Sequence, residues 1–66
     1  MKNSIRVARA ERRMTQQQLA EAVGVSRQTV NAIESGRFIP STVLALKVAR
    51  LFEKPVEEIF VLEDED

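Results

Sequence analysis

The chain has 66 residues, no cysteine, no histidine, and ten basic side chains balanced by ten acidic ones. A domain this short buries only about 60% of its unfolded surface, and it lacks disulfide staples and the usual nitrogen and sulfur zinc ligands. No apolar run reaches the roughly 18 residues of a membrane span, and Met1–Ile5 carries one Lys and no apolar signal region, so the expected location is the cytoplasm.

The zero net charge conceals an asymmetry. Residues 1–50 hold nine basic residues (Lys2, Arg6, Arg9, Arg12, Arg13, Arg27, Arg37, Lys47, Arg50) against Glu11, Glu21 and Glu34, a balance of +6. Residues 51–66 hold Lys54 against Glu53, Glu57, Glu58, Glu63, Asp64, Glu65 and Asp66, a balance of −6. Such segregation predicts one cationic face and one anionic end.

In chain order, a first helix is expected over roughly Ser4 to Arg13, capped by Asn3 or Ser4, with Ile5, Ala8 and the stem of Arg12 on one face. The next start is sharper. Thr15 with Gln18 three residues on fits a capping box, in which each side chain satisfies the other's free backbone N–H. Leu19, Ala20 and Val23 then recur at the helical period, and Gly24 supplies the left-handed residue that ends the helix. Ser26 can cap a third helix through Val30 and Ile33 to Gly36. Two helices of about eight residues joined only by Gly24, Val25 and Ser26 cannot lie antiparallel. They must cross steeply, as in a helix-turn-helix.

Ile39-Pro40-Ser41 breaks the chain again, and Ser41 can cap a fourth helix to Phe52. One stripe of it (Ala45, Leu46, Ala49, Phe52) suffices to face a core. A second stripe (Leu44, Val48, Leu51) is left over, and only Lys47 and Arg50 mark a solvent side. A helix apolar almost all round needs a second covering surface. Pro55 suits the first position of a short fifth helix, Val56 to Phe60, with Glu57 and Glu58 in its favourable first turn. No strand is expected. The reading is one all-α, five-helix domain over residues 1–62, followed by an acidic tail over 63–66 that is too charged to pack and is expected to fray.

Counting from Gln16, the motif places Ala at the fifth position (Ala20) and Gly at the ninth (Gly24). Apolar residues fall at the fourth, eighth, tenth, fifteenth and eighteenth (Leu19, Val23, Val25, Val30, Ile33). Ala20 must be small because the next helix crosses close over it; the aliphatic residues form the seam between the two helices and are core. The run from Thr15 to Arg37, with Pro40-Ser41 and Pro55-Val-Glu-Glu-Ile-Phe60, closely resembles the phage-repressor/Cro-like, or xenobiotic-response-element, family and its small stand-alone cytolysin-repressor-like members. It covers about residues 4–60. The resemblance implies a lambda-repressor-like fold whose third helix enters the major groove of duplex DNA.

Carried over by position, the resemblance implies base contacts from Arg27, Gln28, Asn31 and Ala32. The chemistry suits them, since Arg can donate bidentately to guanine O6 and N7, and Gln or Asn can pair with adenine N6 and N7. It implies backbone contacts from Gln16, whose helix N-terminus points at a phosphate, and from Ser26, Thr29 and Arg37. It also implies a structural ion pair between Arg9 and Glu34. Lys54, where relatives usually carry a capping residue, and Thr42, where they usually carry an apolar one, depart from the pattern. Arg6, Arg12 and Arg13 read as a solvated face that adds positive field.

The expected function is a sequence-specific regulator, a repressor in the first instance, that binds a near-palindromic operator as a homodimer. The expected dimer surface is Leu44, Val48, Leu51, Val56, Ile59 and Phe60. The alternative is a protein-interaction module, such as an antitoxin, with DNA binding secondary. An enzyme is not expected, because there is no His or Cys and no Gly-rich phosphate loop. Neither a cofactor, a metal nor a small-molecule ligand is expected, since four terminal carboxylates without fixed geometry make a poor cation site.

Overall fold

The computed structural model describes residues 1–66 in the order β1 (Lys2–Asn3), α1 (Ile5–Glu11), α2 (Gln16–Val23), α3 (Arg27–Glu34), α4 (Thr42–Phe52), α5 (Val56–Ile59) and β2 (Phe60–Val61). Three of the helices begin at hydroxyl caps. The Thr15 hydroxyl accepts from the Gln18 backbone N–H at 3.0 Å while Gln18 Oε1 accepts from the Thr15 N–H at 2.9 Å, completing the capping box. Ser26 caps α3 through the Thr29 N–H, and Ser41 caps α4 through the Leu44 N–H. At the start of α1 it is Asn3 that serves the helix: its Oδ1 accepts from the Ile5 N–H at 3.3 Å, and its Nδ2 donates to the Ile33 carbonyl at 2.8 Å.

Helices α2, α3 and α4 stop where the backbone turns left-handed. Gly24 after α2 and Gly36 after α3 both lie at φ +79°, and a Cβ on either would meet nothing within 4 Å. Glycine is therefore required there by backbone conformation and not by crowding. After α4 the same conformation is taken by Glu53, at φ 55°, where a side chain makes it costlier.

All five helices contribute to one core: Ile5 and Ala8, Leu19, Ala20 and Val23, Val30 and Ile33, Val48, Ala49 and Phe52, and Ile59. Ala20 is completely enclosed at the crossing of α2 and α3. Arg12 lays its guanidinium over the Phe52 ring, 5.9 Å from the centroid, and so lids the core at the end of α1.

Three expectations need correcting. First, the inward face of α4 keeps Ala49 and Phe52 as expected but takes Val48 in place of Leu46. Val48 is buried, whereas Leu46 is 53% exposed and Val43 63% exposed. Val43, Leu46, Lys47 and Arg50 share the outward face, because a helix with so few polar markers leaves its inward face to be decided by packing. Val48, at 2% exposure, and Ile59, at 0%, are consequently core residues and cannot belong to a partner surface.

Second, the fold is helical with one strand pair. Lys2 and Asn3 run antiparallel to Val61 and Phe60, and the Ser4 N–H extends the ladder to the Ile59 carbonyl at 2.9 Å. Two residues per strand are too few to show alternation in sequence. Third, the acidic tail folds back as a turn. The Glu63 N–H donates to Asp66 Oδ2 at 2.7 Å, and the Met1 amine lies 3.0 Å from Glu63 and 2.9 Å from Asp66. Opposite charge brought close by the ladder offsets the repulsion within the tail. No helix is long and apolar enough to cross a membrane.

Candidate nucleic-acid interface

Helix α3 is two-sided. Val30 and Ile33 are buried against the rest of the fold, while Arg27, Gln28 and Asn31 are exposed and Ala32 is half-buried. The four outward residues line one open concavity together with Arg37. No acidic side chain lines it, so a ridge of amide and guanidinium donors meets solvent there, as an acceptor-rich groove or phosphate chain would require.

The four residues implied as backbone contacts are placed differently from one another. Ser26 is committed to the cap, and its hydroxyl lies 3.0 Å from the Thr29 hydroxyl, so the two oxygens satisfy each other at the start of α3. Gln16, the first residue of α2, donates one amide N–H to Glu34 Oε1 at 3.3 Å, and its second N–H has no partner within the chain. Arg37 lies on the concavity itself. The chain reverses at Gly36, whose N–H bonds the Ile33 carbonyl at 3.1 Å, and the Arg37 N–H bonds the Ala32 carbonyl at 2.9 Å. This double-bonded C-terminal turn returns Arg37 to the face of α3.

Behind the ridge, Arg9 and Glu34 form the expected ion pair. Arg9 Nε donates to Glu34 Oε2 at 2.7 Å and Nη2 donates to Oε1 at 3.0 Å, while Nη1 donates to the Met14 carbonyl at 2.9 Å. The two side chains are 15% and 2% exposed, so the pair is largely removed from water. Burial alone would push the Glu34 carboxyl up, but hydrogen bonds from Arg9 and Gln16 and the charges of Arg9 and Arg6 outweigh it and hold it below the ordinary carboxylate range. The hydrogen bond with Glu34 pushes the Arg9 guanidinium up. The pair ties α1 and the turn before α2 to the end of α3, so the outward ridge is held at a fixed angle.

A family profile described as helix-turn-helix matches residues 5–59 of this chain. The chain belongs to the Cro/C1-type helix-turn-helix family. That family comprises DNA-binding transcriptional regulators and is non-enzymatic. This helix-turn-helix chain is similar to the uncharacterized HTH-type transcriptional regulator MJ0272 of Methanocaldococcus jannaschii, at 47% identity over the whole of both chains. Its fold is similar to the restriction-modification controller protein C.AhdI from Aeromonas hydrophila, with a TM-score of 0.77 and 30% identity, covering 85% of each chain. It is also similar to PlcR of Bacillus thuringiensis, whose structure is a complex with the peptide PapR7 and DNA. There the TM-score is 0.74 and identity 30%, over 91% of this chain and 22% of that one. In this helix-turn-helix regulator α2 and α3 are the two motif helices, and the Schellman-type turn at Gly36 adds Arg37 to the outward face. Arg37, expected at a phosphate, lies on the same concavity as Arg27, Gln28, Asn31 and Ala32, and the Gly-Arg step after the last helical turn is the sequence signal for that placement.

Proposed function

We propose that this chain is a sequence-specific repressor that binds a near-palindromic operator as a homodimer, with α3 of each copy in the major groove. The observation that carries the reading is the outward ridge of α3. Arg27, Gln28 and Asn31 are exposed and mostly unpartnered on a helix whose opposite side is locked into the core. Arg27 and Gln28, in its first turn, reach base edges; Asn31 and Ala32 follow one turn later, Ala32 by apolar contact with a thymine methyl. Gln16 spends its free amide N–H on a phosphate, and the cationic residues of the first fifty residues supply the sequence-independent attraction. Ser26 and Thr29 serve DNA mainly by fixing the start of α3. The regulator would act in the cytoplasm, where its duplex is found.

The second copy is proposed to sit on an apolar groove between the loop before α4, α4 itself and α5. Ile39, Ala45, Leu46, Val56 and Phe60 line it, with Ile39 63% exposed and Leu46 53% exposed, and Val43 extends the patch. Covering these side chains is a direct gain for a domain whose own core is small. Of the surface expected from sequence, Val56 and Phe60 remain at this groove, and Leu44 and Leu51 are half-buried on the other flank of α4. Two recognition helices would then address half-sites about 34 Å apart on one face of the duplex. Repression needs nothing beyond occupancy of an operator that overlaps a promoter.

The test is selection of bound sequences from a random duplex pool at stated salt, with sedimentation of the free protein. An inverted repeat with a centre-to-centre spacing of about one helical turn and a dimeric sedimentation coefficient are expected. Enrichment of no sequence would end the DNA-reading proposal, and a strict monomer at tens of micromolar would end the homodimer. Transcription in vitro from a promoter carrying the selected site should fall as the regulator is added; a rise would overturn the repressor assignment.

A further inference from the structure

We propose that Asn31 and Arg37 act as one donor-only reading unit, which selects guanine or thymine and rejects adenine and cytosine at the base pair it meets. The inference rests on the DNA-reading function proposed above. Arg37 Nη2 donates to Asn31 Oδ1 at 3.0 Å, and Arg37 Nε donates to the Ser35 hydroxyl at 3.0 Å. Ser35 in turn donates to the Ala32 carbonyl at 3.2 Å. The Arg37 backbone is fixed to that same carbonyl by the turn at Gly36. The guanidinium is thus held at both its side chain and its main chain, against the face that Asn31 presents.

The chemical consequence follows from the donor inventory. A guanidinium has only donors, so the Asn31 amide must turn its oxygen toward Arg37 and its nitrogen away. A free Asn pairs with adenine by accepting from N6 and donating to N7, and this needs an unoccupied, outward oxygen. In this arrangement the Asn31 oxygen is turned to Arg37 and one of its lone pairs is taken, so it is a poorer partner for adenine N6 than a free amide. What faces the concavity instead is the Asn31 amide N–H2 beside the remaining N–H groups of Arg37. Guanine O6 and N7 and thymine O4 are acceptors and match such an edge; adenine offers one acceptor, N7, beside the opposing N6 donor, and cytosine N4 is a donor and opposes it. Arg37 thereby determines specificity through Asn31, in addition to any phosphate it holds.

The experiment is bound-sequence selection repeated with the wild-type chain, Arg37→Ala, Arg37→Lys and Asn31→Ala, followed by affinities for duplexes differing at one base pair. Both side chains are exposed, so these variants keep the fold. The wild type should prefer guanine or thymine at one position per half-site by about tenfold. Arg37→Ala frees the Asn31 oxygen and should move that position toward adenine, while the other positions keep their preference. Arg37→Lys lacks the second fixed donor and should show the same shift in part. Asn31→Ala should abolish the preference there, with adenine not gained when Arg37→Ala is added.

If Arg37→Ala weakens binding equally for every sequence and leaves all base preferences unchanged, Arg37 is a phosphate contact and the paired unit is overturned. A wild-type preference for adenine at the Asn31 position would overturn it equally. Failure of the wild type to enrich any sequence would instead remove the DNA-reading proposal on which the unit stands.

Discussion

Arg9 and Glu34, twenty-five residues apart in sequence, grip each other through two hydrogen bonds of 2.7 and 3.0 Å beneath the outward face of α3. A third guanidinium bond reaches the Met14 carbonyl, and Gln16 approaches the same carboxylate from the start of α2. One largely buried carboxylate thus gathers α1 and the two helices of the helix-turn-helix unit. Glu34→Ala strands the Arg9 charge and should lower stability by about 3 kcal/mol or more. That is most of the margin of so small a domain. Arg9→Met combined with Glu34→Leu removes both charges and should recover much of the loss. Urea denaturation measures this; a double variant no more stable than Glu34→Ala would contradict it.

The same carboxylate sets an acid limit. Its folded pKa lies below the ordinary value, so the unfolded chain takes up the proton first as pH falls. The stabilisation is complete above the unfolded glutamate pKa of about 4.3 and is lost as pH drops from there through the lower folded value. Asp66 is held low in the same sense, chiefly by the Glu63 backbone N–H, but it is exposed and screened by solvent. Thermal melts between neutral pH and pH 3 should show a fall confined to the acid end, and Glu34→Gln should flatten it. An unchanged acid limb in Glu34→Gln would locate the transition elsewhere.

Gly24 stands at φ +79° with open space where a Cβ would go. Gly24→Ala should therefore cost about 1 kcal/mol from backbone strain alone, and Gly24→Asn should cost less, because Asn tolerates the left-handed region. Equal losses for Ala and Asn, read from thermal melts, would mean that the turn is set by something other than φ.

The outward apolar face and the core should respond differently to substitution. Ile59→Ala empties a fully enclosed site and should cost about 2–5 kcal/mol. Leu46→Glu, at a half-exposed position, should leave the fold intact while converting the sedimenting species to monomer. A folded Leu46→Glu variant that still sediments as a dimer would place the pairing face elsewhere.

Gln28 is exposed in the first turn of α3 and lines the concavity. Gln28→Ala should weaken operator binding by about 1–3 kcal/mol and relax one base position. A loss spread evenly over all sequences would demote Gln28 to a backbone contact.

The capped starts at Thr15, Ser26 and Ser41 and the turn at Gly24 were legible because each rests on a local rule that a few neighbouring residues satisfy. The Arg9–Glu34 pair was legible only through family resemblance, since nothing local links positions so far apart. The orientation of α4 was legible only in part: Ala49 and Phe52 face the core as expected, but Leu46 and Val48 are equally apolar, and the choice between them was made by the helices around them. The two-residue strands carry no periodic signal. The contact between Asn31 and Arg37 depends on how the Gly36 turn returns the chain, a three-dimensional fact that spacing alone does not reveal.

The strand ladder joins Lys2 to Val61, almost the full length of the chain apart. Closing so long a loop is entropically unfavourable until other contacts have drawn its ends together. Its bonds should thus form late in folding and open first under mild denaturant. Phe60 sits in that ladder and also lines the groove proposed for a second copy, so docking of a partner chain would hold shut the least protected seam of the molecule.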